Sequence, residues 1–309
     1  MQFRHIFARH IFTGALLIIF SNIAQADGSD AASNIKACKQ AISEGDASKA
    51  LSYAEQALKQ NKNNRDALLC KGRAHDGLGQ LNEAVAALQA AEKLSATPMD
   101  HMVALTLIGN AQKNAKLYPE ALDSYRQSLS ITQAAKDKGF ERINLNQIGD
   151  VLVESNQLDA GLESYLAGNK LSANDNERAD NYARIAAVYS RLGKHDLAIE
   201  NQIKAVLADE RAGDQDHQAN AYLEMGRIYT AAAQYDKAEK AINKTTKMSK
   251  EQGSAFWEAK SYYYLALAKA ANGQSPAAKA LLADAQRICS QIGEQELGNQ
   301  IKQALANLK

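Results

Sequence analysis

Proline is scarce in this sequence: three residues in 309. Proline removes a backbone donor and breaks helix interiors, so its scarcity leaves long helices unobstructed, and the abundance of alanine and leucine favours helix over sheet. An excess of one charge is also missing, with 36 Lys and Arg against 35 Asp and Glu. That balance gives neither the basic surplus of a nucleic-acid binder nor an acidic tail. Beyond the first residues, no run is long and apolar enough to span a bilayer. Cysteine appears three times, as Cys38, Cys70 and Cys289. The number is odd, and the spacing fits neither a zinc site nor a C-x-x-C redox pair.

Catalytic signatures are missing as well. Gly72–Gly79 is glycine-rich, but the pattern gives it no preceding strand and no following lysine, as a phosphate loop needs. His75, His101, His195 and His217 are scattered, with no H-E-x-x-H, and no G-x-S-x-G elbow is present. The sequence therefore reads as non-enzymatic, with no cofactor and no metal. Its 46% hydrophobic content is still enough to bury a substantial core.

The N-terminus stands apart. MQFRHIFARH carries Arg4 and Arg9 without an acid, IFTGALLIIF is a short apolar run, and Ala24-Gln25-Ala26 precedes Asp27. A basic start, a brief greasy middle and an A-x-A end are the parts of a secretory signal peptide, so residues 1–26 are expected to be cleaved after Ala26, the alternative being an uncleaved anchor. No cysteine stands at the cleavage point and no arginine pair precedes the apolar run. The mature chain, without Arg4 and Arg9, would carry 34 basic and 35 acidic residues. Export to the periplasm or the medium would permit a Cys38–Cys70 disulfide between neighbouring helices; the alternative is that both are small buried thiols.

The body of the chain is repetitive. Ala50, Ala84, Ala121, Gly161, Ala198, Ala238 and Ala278 recur at intervals of 34 to 40 residues, each after a short turn. The turns read Gly45-Asp46-Ala47, Gly79-Gln80-Leu81, Lys116-Leu117-Tyr118, Asn156-Gln157-Leu158, Gly193-Lys194-His195, Ala233-Gln234-Tyr235 and Gly273-Gln274-Ser275. Glycine and asparagine suit the left-handed residue that closes a helix. Pro119 and Pro276 fall where the next helix opens, at no hydrogen-bond cost. Upstream of the turns, Leu105, Ile108 and Gly109 recur as Leu145, Ile148 and Gly149, as Tyr182, Ile185 and Ala186, as Tyr222, Met225 and Gly226, and as Tyr262, Leu265 and Ala266. This is helical spacing with a small residue beside a large one.

The pattern resembles the tetratricopeptide repeat, a helix-turn-helix unit of about 34 residues. Residues 31–293 hold seven units in register, after a linker at 27–30, and the 40-residue units resemble the longer kind found in kinesin light chains. The resemblance implies an all-α, right-handed superhelical solenoid. Leu297, Ile301, Ala304, Leu305 and Leu308 share one face of the segment 294–309, which is expected to cap the stack. The first unit is the most divergent, with Asn34 and Ala41 at positions usually large.

The resemblance also implies a concave groove lined by first helices and suited to a protein or peptide partner. Helical spacing brings Arg73 and Asp76 to that face, and then Asn110, Lys113, Asn114, Asn146, Gln147, Asp150, Glu154, Arg184, Arg191, Glu224, Arg227, Tyr263 and Tyr264. Asn and Gln both donate and accept, as a peptide backbone requires, and Arg offers a planar fork for carboxylates. The competing role for these charges is pairing across adjacent helices, and for Tyr263 and Tyr264 packing on the cap. Some members of the family clamp a terminal carboxylate with two lysines, two asparagines and an arginine. Asn110, Gln147 and Arg184 resemble three of those places, but Thr106 and Asp180 stand where the lysines would be, so that clamp is not expected. The reading is an exported scaffold or adaptor binding protein segments, the alternative a periplasmic peptide-sensing regulatory module. The pattern leaves the oligomeric state open.

Overall fold

The computed structural model describes residues 31–308; the expected signal peptide and the linker at 27–30 lie outside the described residues. Fifteen α-helices and no strand are found among them. Seven hairpins follow one another: α1 (Ala31–Ser43) with α2 (Ala47–Gln60), α3 (Arg65–Gly77) with α4 (Leu81–Lys93), α5 (Pro98–Asn114) with α6 (Tyr118–Ala135), and α7 (Lys138–Glu154) with α8 (Leu158–Asn169). Next come α9 (Asp175–Arg191) with α10 (His195–Ala212), α11 (Gln215–Ala231) with α12 (Tyr235–Gln252), and α13 (Ala255–Ala271) with α14 (Ser275–Ile292), before the single helix α15 (Gln295–Asn307). The fold is an all-α superhelical repeat.

One turn chemistry closes every hairpin. Gly45, Gly79, Lys116, Asn156, Gly193, Ala233 and Gly273 each adopt positive φ. The residue after each returns its N–H to a carbonyl five positions back, as in Gln80 to His75 at 2.9 Å, Leu117 to Gln112 at 2.8 Å and Gln234 to Tyr229 at 2.9 Å. That bond satisfies an otherwise orphaned carbonyl and reverses the chain. The first helices α3, α5, α7, α9 and α11 start on side-chain caps, in which Asn64, Thr97, Asp137, Asn174 and Asp214 each accept from a backbone N–H three residues on, whereas Ser254 before α13 makes no such bond. Thr97 and Asp100 form a reciprocal capping box. Each such cap stabilises its helix by about 1 kcal/mol.

Inside a unit, the small residue of the first helix meets a large one sixteen positions later: Gly72 with Leu88, Gly109 with Tyr125, Gly149 with Tyr165 and Gly226 with Ile242. Between units, apolar clusters join each second helix to the next hairpin. Ala121, Leu122 and Tyr125 pack on Ile148, Val151 and Leu152, and Leu162 and Tyr165 pack on Ile185 and Val188. Stability is thus shared between neighbours instead of resting in one core.

At the two ends the arrangement differs. Cys38 of α1 and Cys70 of α3 are bonded as a disulfide, so they are not independent thiols. Cys289 is free and buried. Leu297 and Ile301 of α15 are buried with Leu282, Ala285, Ile288 and Cys289 of α14, while Ala304, Leu305 and Leu308 pack at the edge of the same cluster.

First helices of neighbouring units touch one another, as α3 touches α5 and α11 touches α13, whereas no pair of second helices makes comparable contact. The stack therefore curves with first helices on its inner face and second helices splayed on its outer face.

Candidate functional site

The inner face carries a polar ladder. Asn114 of α5 donates to both carboxylate oxygens of Asp76 on α3, at 3.1 and 3.0 Å. Asp150 of α7 accepts the Tyr165 hydroxyl at 2.6 Å and pairs with Arg184 of α9. Arg184 also pairs with Asp180, at 3.0 Å. Arg191 reaches back to the Val153 carbonyl at 2.9 Å and the Asn156 side chain at 3.3 Å. Glu224 of α11 accepts from Arg227 at 2.7 Å and from the Tyr264 hydroxyl of α13 at 3.4 Å.

Electrostatics tie these groups together. Burial disfavours charge on Arg184, but Asp150 and Asp180 more than offset it and hold the guanidinium above its ordinary range. Burial, with the Asp150 charge beside it, pushes the Tyr165 phenol well up. Burial and Glu224 raise Tyr264 to about 12. The Arg184 guanidinium thus stays charged and the Tyr165 and Tyr264 phenols stay neutral near neutrality. Among the described residues no group of three His, Cys, Asp or Glu is placed to hold a metal, and no helix is long and apolar enough to cross a membrane.

The groove residues fall into three sets. Asn110, Lys113, Asn114 and Gln147 come together with Arg73 and Asp76 around a concavity of about 400 Å³. Asn110 accepts the Tyr125 hydroxyl at 2.6 Å. Lys113 and Arg73 form no ion pair, and the Gln147 side-chain oxygen is buried without a hydrogen-bond partner. Asp150, Arg184, Arg191, Glu224 and Arg227 make up the second set: Asp150 pairs with Arg184 across units, Arg191 bonds the Val153 carbonyl and Asn156, and Glu224 pairs with Arg227 within α11, while Glu154 is exposed at the end of α7. Tyr263 and Tyr264 form the third. Tyr263 packs at the edge of the α13–α14–α15 cluster and lines a cleft of about 300 Å³ with Ala304 and Leu308. Tyr264 packs beside Leu223 and Ile242.

Asn146 is a correction. It is 5% exposed and does not face the groove. Its oxygen would stand 2.6 Å from a β-carbon on Gly168 of α8, so it fills the space that this glycine leaves open. The hydroxyls of Tyr125 and Tyr165, which orient Asn110 and Asp150, escaped the sequence reading; their signal was a tyrosine sixteen residues after a glycine. Thr106, one of the two missing clamp positions, bonds Ser128 at 3.2 Å and Asn144 at 3.3 Å within the stack.

Tetratricopeptide-repeat family models match residues 177–251 and 41–98. The apo form of RapI superposes with a TM-score of 0.65 at 14% identity, over 88% of this chain and 80% of that one. A STAND-type signal-transduction ATPase from Pyrococcus horikoshii, which has a tetratricopeptide-repeat sensor, superposes with a TM-score of 0.67 at 16% identity, over 88% of this chain and 44% of that one. A Rap protein complexed with competence and sporulation factor gives a TM-score of 0.52 at 15% identity, over 91% and 97%. No curated protein matches the sequence. The class that fold and face define is a protein-interaction scaffold. The chain is a tetratricopeptide-repeat protein.

Proposed function

We propose that this protein is an exported, non-catalytic scaffold that binds a peptide segment of a partner protein in its concave groove, at the concavity spanned by α3, α5 and α7. The observation that carries this reading is the contrast along the groove. From Asp150 to Arg227 the charges are mostly spent on one another. Around Arg73 and Lys113 two cations stay unpaired, next to amides able to pair with a peptide backbone and to a buried amide oxygen lacking a donor. An unpaired buried acceptor is costly, and a peptide N–H would satisfy it. A segment with an acidic side chain or terminal carboxylate fits the two cations.

Export is supported by the composition of residues 1–26 and by the Cys38–Cys70 disulfide, which persists in oxidising compartments.

The test is affinity capture from periplasmic extract with the mature protein and with the Arg73→Ala/Lys113→Ala variant. A partner retained by the first and lost by the second, with helical content unchanged by circular dichroism, supports the site. Equal capture by both moves binding elsewhere.

A further inference from the structure

On the outer face, α12 differs from every other second helix. Lys237, Lys240, Lys244, Lys247 and Lys250 give it five basic residues, and no other second helix has more than two. The first four recur at helical spacing and are all exposed, forming one row of about 15 Å at 1.5 Å per residue. Lys250 turns the other way, toward Glu258 and Tyr262 on α13.

The row borders a groove. Second helices splay apart, so between α10 and α12 the outer side of α11 is left as a floor. Tyr222, Met225 and Tyr229 form it, in two adjoining concavities of about 540 and 270 Å³ that share Tyr222 and Lys244. On the other side Val206 belongs to the Tyr222 cluster and Glu210 accepts the Tyr222 hydroxyl, which turns that stripe of α10 to the groove. Ile203 and Leu207 lie on the same stripe and are 41% and 47% exposed.

The lysines are not neutralised from within. Glu239 of α12 points to α13, where it pairs with Lys269 at 2.6 Å. Lys237, Lys240 and Lys244 have no ion pair, and Lys247 has only Glu251 at 3.7 Å. Lys244 lies over the Tyr222 ring at 4.4 Å and Lys237 over Tyr229 at 5.7 Å. Those contacts account for two of the four. Like charges three and four residues apart destabilise a helix by about 0.2–0.5 kcal/mol per pair; Lys240 has no ion pair to offset this, and Lys247 has only the exposed Glu251.

We propose that this outer groove is a second interaction site, for an acidic peptide segment whose apolar side chains settle on Tyr222, Met225 and Tyr229 while its carboxylates meet Lys237, Lys240, Lys244 and Lys247. Charge complementarity selects the sign, and the recessed aromatic floor selects a peptide over a flat lipid surface. With 36 basic against 35 acidic residues, the chain lacks the overall basic surplus that favours a nucleic-acid backbone. With both faces occupied, the solenoid would bridge two partners. The outer site stands or falls independently of the concave one.

A phage-displayed random dodecapeptide library, panned on the mature protein, tests this. The expected outcome is a class of clones rich in Asp or Glu with Leu or Phe. Their synthetic peptides should bind less tightly as salt rises, lose at least about tenfold in affinity to Lys240→Glu/Lys244→Glu, and bind Arg73→Ala/Lys113→Ala normally. Carbodiimide coupling should map their carboxylates to the lysine row. All four lysines are exposed, and an unchanged thermal midpoint confirms that the variant folds. The proposal is overturned if no acidic class emerges or if acidic clones bind Lys240→Glu/Lys244→Glu equally well. It is also overturned if the lysine row instead retains phosphatidylglycerol vesicles or oligo(dT).

Discussion

Gly149 lies directly under the ring of Tyr165: a β-carbon on the glycine would stand 2.5 Å from Cε1 and 2.6 Å from Cδ1. The hydroxyl of that ring is 2.6 Å from Asp150 Oδ1. Helix packing inside the unit and the polar ladder on the inner face therefore share one side chain. Gly149→Ala is expected to cost about 1–3 kcal/mol, because overpacking forces the ring or the helices apart. Ala266 and Leu282 occupy the same pair of positions in the last unit, so Tyr165→Leu should make room for the methyl. Urea midpoints of the single and double variants will check this. The double should fall short of the summed losses by at least about 1 kcal/mol, and strict additivity would mean that the two residues are not coupled.

Two hairpin turns carry residues poorly suited to them. Ala233 sits at φ 56° and Lys116 at φ 61°. A β-carbon there meets the following carbonyl at about 1–2 kcal/mol, and glycine relieves it at some cost in unfolded-chain entropy. Ala233→Gly should stabilise the protein by about 0.5–1 kcal/mol, and Gly193→Ala should destabilise it by a similar amount. A thermal scan showing both changes of the same sign would contradict the shared turn geometry.

Where the turn glycines are present, the hairpins were legible residue by residue. At Lys116 and Ala233 only the register of the repeat placed the turn, since neither residue signals a left-handed conformation. The groove was legible in outline. Asn110, Asn114 and Gln147 follow from spacing along the first helices, but Asn146 does not, because one helical step separates the inner side from the side facing α8. The clue lay in Gly168, a glycine mid-helix whose missing side chain leaves room for an amide. Pairing between units was less legible still. Asn114 meets Asp76 across 38 positions, whereas Arg184 meets Asp150 across 34. The cross-unit partner thus shifts by about one turn from unit to unit, and no single period predicts it.

The Cys38–Cys70 bond closes a loop between α1 and α3, with a sequence separation of 32. A loop of that size stabilises by about 3.7 kcal/mol through the entropy it removes from the unfolded chain. Each unit contacts only its neighbours, so the loss on reduction should stay at the N-terminal end. In Cys38→Ser/Cys70→Ser, amide exchange of α1 and α2 should accelerate at least tenfold while α9–α14 keep their protection. Uniform acceleration along the chain would show a single cooperative unit instead of a nearest-neighbour stack.

Asp209 closes α10 with a side chain buried beside the start of α11. Burial raises its carboxyl to about 6; the nearby His217 opposes the rise and Asp214 adds to it. The folded state holds this proton more tightly than the unfolded chain, whose value is near 4. The stability tied to the proton is therefore fully present below about pH 4 and is lost as pH climbs through about 6. At pH 7.5 the ionised group costs about 2 kcal/mol, allowing for relaxation around a partly solvated site. Asp209→Asn supplies a permanently neutral side chain of the same shape. Its urea midpoint should exceed that of the wild type at pH 7.5 and match it at pH 4.0. A gap that is the same at both pH values would locate the effect in packing instead of charge, and a less stable variant at pH 7.5 would reverse the assignment, making the carboxylate a favourable partner of His217.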